Sequence, residues 1–200
     1  LNRPQITLLI IAMLFIIPLV AAILMNSQWW AFQPASTTNL GQLVTPPRAF
    51  DETLLEADGN AGPEVSSTRG KWTILYPVQV PCQAQCLADV QGLRQIHRAS
   101  GRHRESLVVM LLVPRDATLS AAHELLKTYE EYRLARDASG AVTELLAGIS
   151  GPATDGSLVA GQAFLVDPGG NIMMRYAAGF DPSHINKDLK RLLKWSKQDG

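Results

Sequence analysis

Ile6 to Met25 is a run of twenty residues with no ionisable side chain, in which only Thr7 carries a polar side group. At 1.5 Å rise per residue a helix of that length spans about 30 Å, the thickness of a bilayer's hydrocarbon core. Pro18 would kink a soluble helix but is accommodated within a membrane span. Trp29 and Trp30 follow at the far edge, where indoles favour the headgroup layer. Arg3 is the only charge before Arg48, so the positive-inside rule predicts a cytoplasmic amino end and an exported remainder. The competing reading is a cleavable signal peptide, for which Val20-Ala21-Ala22 offers small residues at a cleavage site. The apolar run continues past that site and exceeds the roughly 7–15 residues of a signal core. Residues 1–30 are therefore expected to be a retained anchor.

Beyond the anchor the chain reads as an ordinary globular protein. Over all 200 residues eighteen Lys+Arg balance eighteen Asp+Glu, which excludes nucleic-acid binding by bulk charge. The two cysteines are too few for a disulfide-scaffolded mini-protein or a four-cysteine metal site. Residues 31–70 contain Gln33-Pro34-Ala35-Ser36, Pro46-Pro47 and Asp58-Gly59-Asn60-Ala61-Gly62-Pro63, and are expected to form a stalk with an irregular or hairpin lead-in. The folded domain is expected over residues 71–200.

Within it, hydrophobic patterning predicts buried strands over Trp72–Val78, Leu107–Val113 and Ala163–Val166. A helix is expected over Gln85–Ala99, with Leu87, Val90, Leu93 and Ile96 or His97 facing inward. A second is expected over Ser120–Arg136, with Ala122, Leu125, Leu126 and Tyr129 as its inner stripe. Asp167-Pro168-Gly169-Gly170-Asn171 marks a turn into a fourth strand, Ile172–Tyr176. Asp181-Pro182 supplies an N-cap and first-turn proline for a last helix that buries Ile185, Leu189, Leu192 and Leu193. The order β-α-β-α-β-β-α, with right-handed crossovers and a closing hairpin, is the thioredoxin-like α/β arrangement.

Cys82-Gln83-Ala84-Gln85-Cys86 falls where the first strand gives way to the first helix, the sheet edge at which sites collect. A helix amino terminus stabilises a thiolate. Two helical residues at i and i+4 hold their Cβ atoms about 5–6 Å apart, too far for a disulfide, so Cys82 is expected in the turn before the helix. An inert bridge over so short a loop would stabilise by only about 2 kcal/mol. A chemically used pair and a static bridge both remain open, with placement favouring the former.

The blocks Arg69-Gly70-Lys71-Trp72-Thr73-Ile74-Leu75-Tyr76, the CxxxC pair, Val113-Pro114-Arg115-Asp116 and Phe164-Leu165-Val166-Asp167-Pro168-Gly169-Gly170 together resemble the membrane-anchored Sco/SenC family. The resemblance covers roughly residues 40–197. It implies a thioredoxin-like domain on the periplasmic side of a bacterial inner membrane, assisting assembly of the copper centre of cytochrome c oxidase. The implied partners are an oxidase subunit or its assembly factors. Family members bind copper through both cysteines and a histidine ahead of the third strand; Cys82 and Cys86 match by position. The histidine has no counterpart between Gly156 and Gln162, and Gln83 stands where the family has proline.

Of the four histidines, His97, His103 and His123 are expected on solvated helix faces or ends. His184 opens the last helix on the cysteine edge, making it the one candidate third copper ligand beside Cys82 and Cys86. The basic run Arg94, Arg98, Arg102 and Arg104 reads as a solvated face, or one turned to an acidic partner or headgroups. Met173 and Met174 alternate across a strand as core packing. Three functions remain: a thiol–disulfide protein acting on an oxidase subunit, a Cu(I) carrier using the same soft thiolates, and an assembly module with a structural disulfide.

Overall fold

Helix α1, Arg3–Asn26, holds the apolar run in one continuous element, and its first eighteen residues have a mean hydropathy of 2.0. It is long and apolar enough to cross a membrane. The structure is a computed structural model that describes residues 2–26, 38–57, 68–115, 117, 132–151 and 159–195. It divides into two units, Leu1–Thr38 and Asn39–Gly200. Trp29, Trp30, the Asp58–Pro63 turn, His123 and the expected inner stripe from Ala122 to Tyr129 lie outside the described residues.

The second unit is built on one seven-stranded sheet of order β1-β7-β6-β3-β4-β5-β2. Its strands are β1 Gln42–Ala49, β2 Glu56–Ala57, β3 Trp72–Pro77, β4 Leu107–Val113, β5 Arg133–Arg136, β6 Ala163–Val166 and β7 Asn171–Tyr176. All residues of β3 and β4 are buried, as continuous apolar runs require when both sheet faces are covered. Alternation sends Ile74 and Tyr76 to one core and Leu75 to the other. On the first face lie α2, Ala84–Ala99, and α4, Pro182–Trp195, contributing Val90, Leu93, Ile96, Ile185 and Leu189. On the second lies α3, Ala141–Ser150, contributing Val142 and Leu146. The parallel pair β3–β4 and the antiparallel neighbours β6 and β7 form the thioredoxin-like centre.

Three sequence expectations are corrected. The helix expected over Ser120–Arg136 does not reach its far end: Arg133–Arg136 is a strand pairing in parallel with β4. A further helix, α3, follows that strand; it is preceded by Gly140 at φ 78° and capped by Asp137, which accepts from the Thr143 amide at 2.7 Å. Residues 42–57, expected in the lead-in, join the sheet, β1 along β7 and β2 along β5. Leu87, expected to face inward, is 39% exposed, because Cys86, Asp89 and Val90 take the inner face of α2.

Two contacts fix α4. Gly92 of α2 lies so close to Pro182 that any Cβ there would meet its Cγ at 2.3 Å. Asp188, buried in α4, accepts from the amides of Leu40 and Gly41, each at 2.9 Å, and from the Tyr176 hydroxyl at 3.1 Å. It also forms an ion pair with Arg191 at 3.7 Å. The expected cap of α4 is present: Asp181 accepts from the Ser183 amide at 2.8 Å.

Candidate functional site

Strand β3 ends at Pro77, and the Val78 amide still donates to the Leu112 carbonyl, so the turn that follows starts from a fixed sheet edge. Cys82 lies in that turn and Cys86 in the first turn of α2, with Cα atoms 5.3 Å apart and a disulfide between them. Placing Cys82 outside the helix is what brings the two sulfurs within bonding reach. The pair is asymmetric. Cys82 is half-buried, whereas Cys86 is 5% exposed and belongs to the core cluster with Tyr76, Val78 and Val90.

The amino end of α2 has no side-chain cap on Gln83 and no acidic residue in its first turn. Its orphan amides and the helix dipole are thus available to a thiolate at Cys82. The Gln79 carbonyl lies 3.8 Å from Cys86 Sγ, where it would accept from the thiol of the reduced pair. Val80, Cys82 and Phe180 are partly buried against the same core, and the Phe180 ring packs edge-on to Tyr76 at 6.3 Å. The loop after β7 therefore reaches the cysteine edge, as the topology predicts.

Beneath the pair is a residue that sequence reasoning missed. Asp89, one turn after Cys86 on the same helix face, is 3% exposed. It accepts from the Tyr76 hydroxyl at 2.9 Å and from Gln85 Nε2 at 2.8 Å. Burial, reinforced by the neighbouring Asp89, pushes the Tyr76 phenol far above its ordinary range, so it remains a donor. The available signal was an acidic residue three positions after a cysteine, at a helix position where periodicity asks for an apolar side chain.

The structure does not bring His184 into a ligand set with Cys82 and Cys86: among the described residues, no three His, Cys, Asp or Glu side chains are placed to hold a metal ion. His184 is half-buried in the first turn of α4, and its amide donates to the Asp181 carbonyl at 2.9 Å. His97 is half-buried in α2, and His103 accepts from Arg102 Nε at 3.3 Å. The cysteines alone supply two sulfur donors once reduced, a set that suits two-coordinate Cu(I) and leaves Cu(II) without imidazole or oxygen. Met174 is buried and Met173 half-buried, consistent with packing.

A family described as "Transmembrane-like, thioredoxin-like, C-terminal domain" matches residues 72–196. No curated protein matches the sequence. Among solved structures, a thiol:disulfide interchange protein of the thioredoxin family from Chlorobium tepidum superposes with a TM-score of 0.54 at 13% identity, over 72% of this chain and 95% of that one. ScoI of Arabidopsis thaliana with copper bound superposes with a TM-score of 0.53 at 16% identity, over 78% and 98%. PrxQ of Xylella fastidiosa gives 0.52 at 15% identity, over 81% and 99%. At these identities the likeness is one of fold.

Proposed function

Since this chain belongs to the transmembrane-like family with a thioredoxin-like C-terminal domain, we propose that it is a membrane-anchored thiol–disulfide protein whose working group is the Cys82–Cys86 pair. The observation that carries this reading is the asymmetry of the pair: one sulfur half-exposed ahead of a helix amino terminus, the other buried behind it. With Arg3 ahead of the span, the domain faces the periplasm of a bacterial inner membrane, a compartment where disulfides persist. The Sco/SenC-like sequence blocks point to a cysteine-bearing subunit of cytochrome c oxidase, or one of its assembly factors, as the partner.

In the oxidising direction, a partner thiolate attacks Cys82 Sγ, the Cys82–Cys86 bond breaks, and Cys86 leaves as a thiolate that takes up a proton. A second partner thiol then displaces Cys82, giving a partner disulfide and the reduced pair. Two electrons and two protons pass from partner to protein. The reducing direction runs through the same mixed disulfide. Asp89, one turn from Cys86, holds the Tyr76 hydroxyl and the Gln85 amide on the same helix face.

A second reading, transfer of Cu(I) as cargo between the same two thiolates, is favoured by their softness as ligands. The copper held by the Arabidopsis ScoI structure agrees with it. The two readings part on a trapping experiment. In the full chain, Cys86→Ser leaves Cys82 to form a stable mixed disulfide with its partner, whereas Cys82→Ser leaves only a buried thiol. Recovery of an oxidase-subunit adduct from the first variant and not the second is expected. Absence of any adduct from either variant, with copper transfer retained in wild type, would favour the carrier.

A further inference from the structure

We propose that the groove between the end of α2 and the outer half of α4 seats an anionic phospholipid headgroup of the membrane in which α1 is anchored. The groove has a volume of about 460 Å³; Arg102, His103, Lys190 and Lys194 rim it, and Leu189 and Leu193 line its floor. Among the described residues, no acidic side chain lines it. A phosphodiester meets the cations, and the apolar floor suits the glycerol and first methylenes of a lipid.

The charge is local. The whole chain is neutral, yet α4 exposes Lys187, Lys190, Arg191 and Lys194, while its only acid, Asp188, is buried. That acid holds the first residues of the folded unit beside the face. Asp188 holds the amides of Leu40 and Gly41, among the first residues of the folded unit, so the chain coming from α1 joins the domain beside this helix. Thirteen residues separate Asn26 from Leu40, a reach of at most about 45 Å. A tether of that length keeps the folded unit within reach of the bilayer that holds α1. An acidic protein partner would meet the same charges, but the tether supplies the lipid surface at high effective concentration.

The groove also lies at the carboxyl end of α2, and the cysteines lie at its amino end. Sixteen residues of helix put about 24 Å between the two. Headgroup contact at the groove would thus leave the disulfide free for a partner.

The test uses the full chain in vesicles of phosphatidylcholine alone or with roughly a third phosphatidylglycerol, and sedimentation confirms that α1 holds it in both. A water-soluble acylating reagent then reads the reactivity of Lys190 and Lys194 by mass spectrometry. Both lysines should react several-fold more slowly in anionic vesicles, and high salt should abolish the difference. Arg102→Gln with Lys194→Gln, both exposed positions, should lower headgroup affinity about 25-fold, at about fivefold per charge, and restore Lys190 reactivity. Equal reactivity in the two vesicle types overturns the proposal. So does equal protection by inorganic phosphate in phosphatidylcholine vesicles, which would mark a free-anion site, or protection that appears only on adding an acidic protein.

Discussion

The hydroxyl of Tyr76, at the end of the central strand, donates at 2.9 Å to the buried carboxylate of Asp89, one helical turn past Cys86. A carboxylate buried one turn from a cysteine places like charge beside a Cys86 thiolate and so opposes it. Asp89→Asn keeps an acceptor for Tyr76 but removes the charge. Its pH profile of disulfide exchange is expected to move toward lower pH, as removal of a like charge favours the thiolate. An unchanged profile would mean that Asp89 serves packing alone.

Tyr76→Phe removes the donor and leaves Asp89 with Gln85 as its remaining recorded partner. Losing a buried hydrogen bond to a charged group is expected to cost about 2 kcal/mol in denaturant unfolding. Burial holds the phenol protonated, so the wild-type bond persists through the alkaline range of ordinary buffers.

Asp188→Ala strands the Leu40 and Gly41 amides and the Tyr176 hydroxyl at once. About 3 kcal/mol of stability should be lost. Increased proteolysis should appear first near residue 40, because that is where the chain is released. Gly92→Ala should destabilise by about 1–3 kcal/mol, since the new methyl drives against the Pro182 ring at the α2–α4 contact.

The carboxyl of Asp181 is held below its ordinary value, first by the Ser183 amide and then by the Ser183 hydroxyl. A lowered folded-state value means that the cap contributes fully above the unfolded value of 3.8 and fades as pH falls through the lower folded one. Wild type and Asp181→Ala should therefore converge in stability on acidification past that range. A gap between them that stays constant with pH would contradict the cap's role.

Much of this architecture is legible in the chain because the patterns there are strong and local. Leu107–Val113 reads as a buried strand and is one, and Asp181-Pro182 opens a helix by cap and proline chemistry. Cys82 precedes its helix because disulfide geometry demands it. The failures lie where tertiary context overrides local preference. Arg133-Leu134-Ala135-Arg136 is made of good helix formers, and tertiary pairing with β4 on one side and β2 on the other makes it a strand. Pro46-Pro47 argues against a strand, but β1 is a sheet edge with an irregular register between Leu43 and Arg48, where proline is tolerated. Asp89 was passed over because a buried carboxylate looks like a surface residue until its partners, Tyr76 and Gln85, are seen around it.

Copper binding follows from the donors in place. The reduced chain should hold Cu(I) through two thiolates and bind Cu(II) weakly, because His184 is not assembled with the pair. Titration of wild type against His184→Ala should give the same weak Cu(II) affinity. Tight binding lost with His184 would mean that the first turn of α4 moves onto the cysteines.

The central claim is that the Cys82–Cys86 bond opens and closes in use, and its reduction potential tests that most directly. Equilibration of the full chain in defined thiol–disulfide buffers, with alkylation and mass spectrometry, gives the potential. The account expects a value above about −300 mV, with Cys82 the first thiol to be alkylated. A bond that stays closed at poise well below about −300 mV would make it a structural staple and contradict the account.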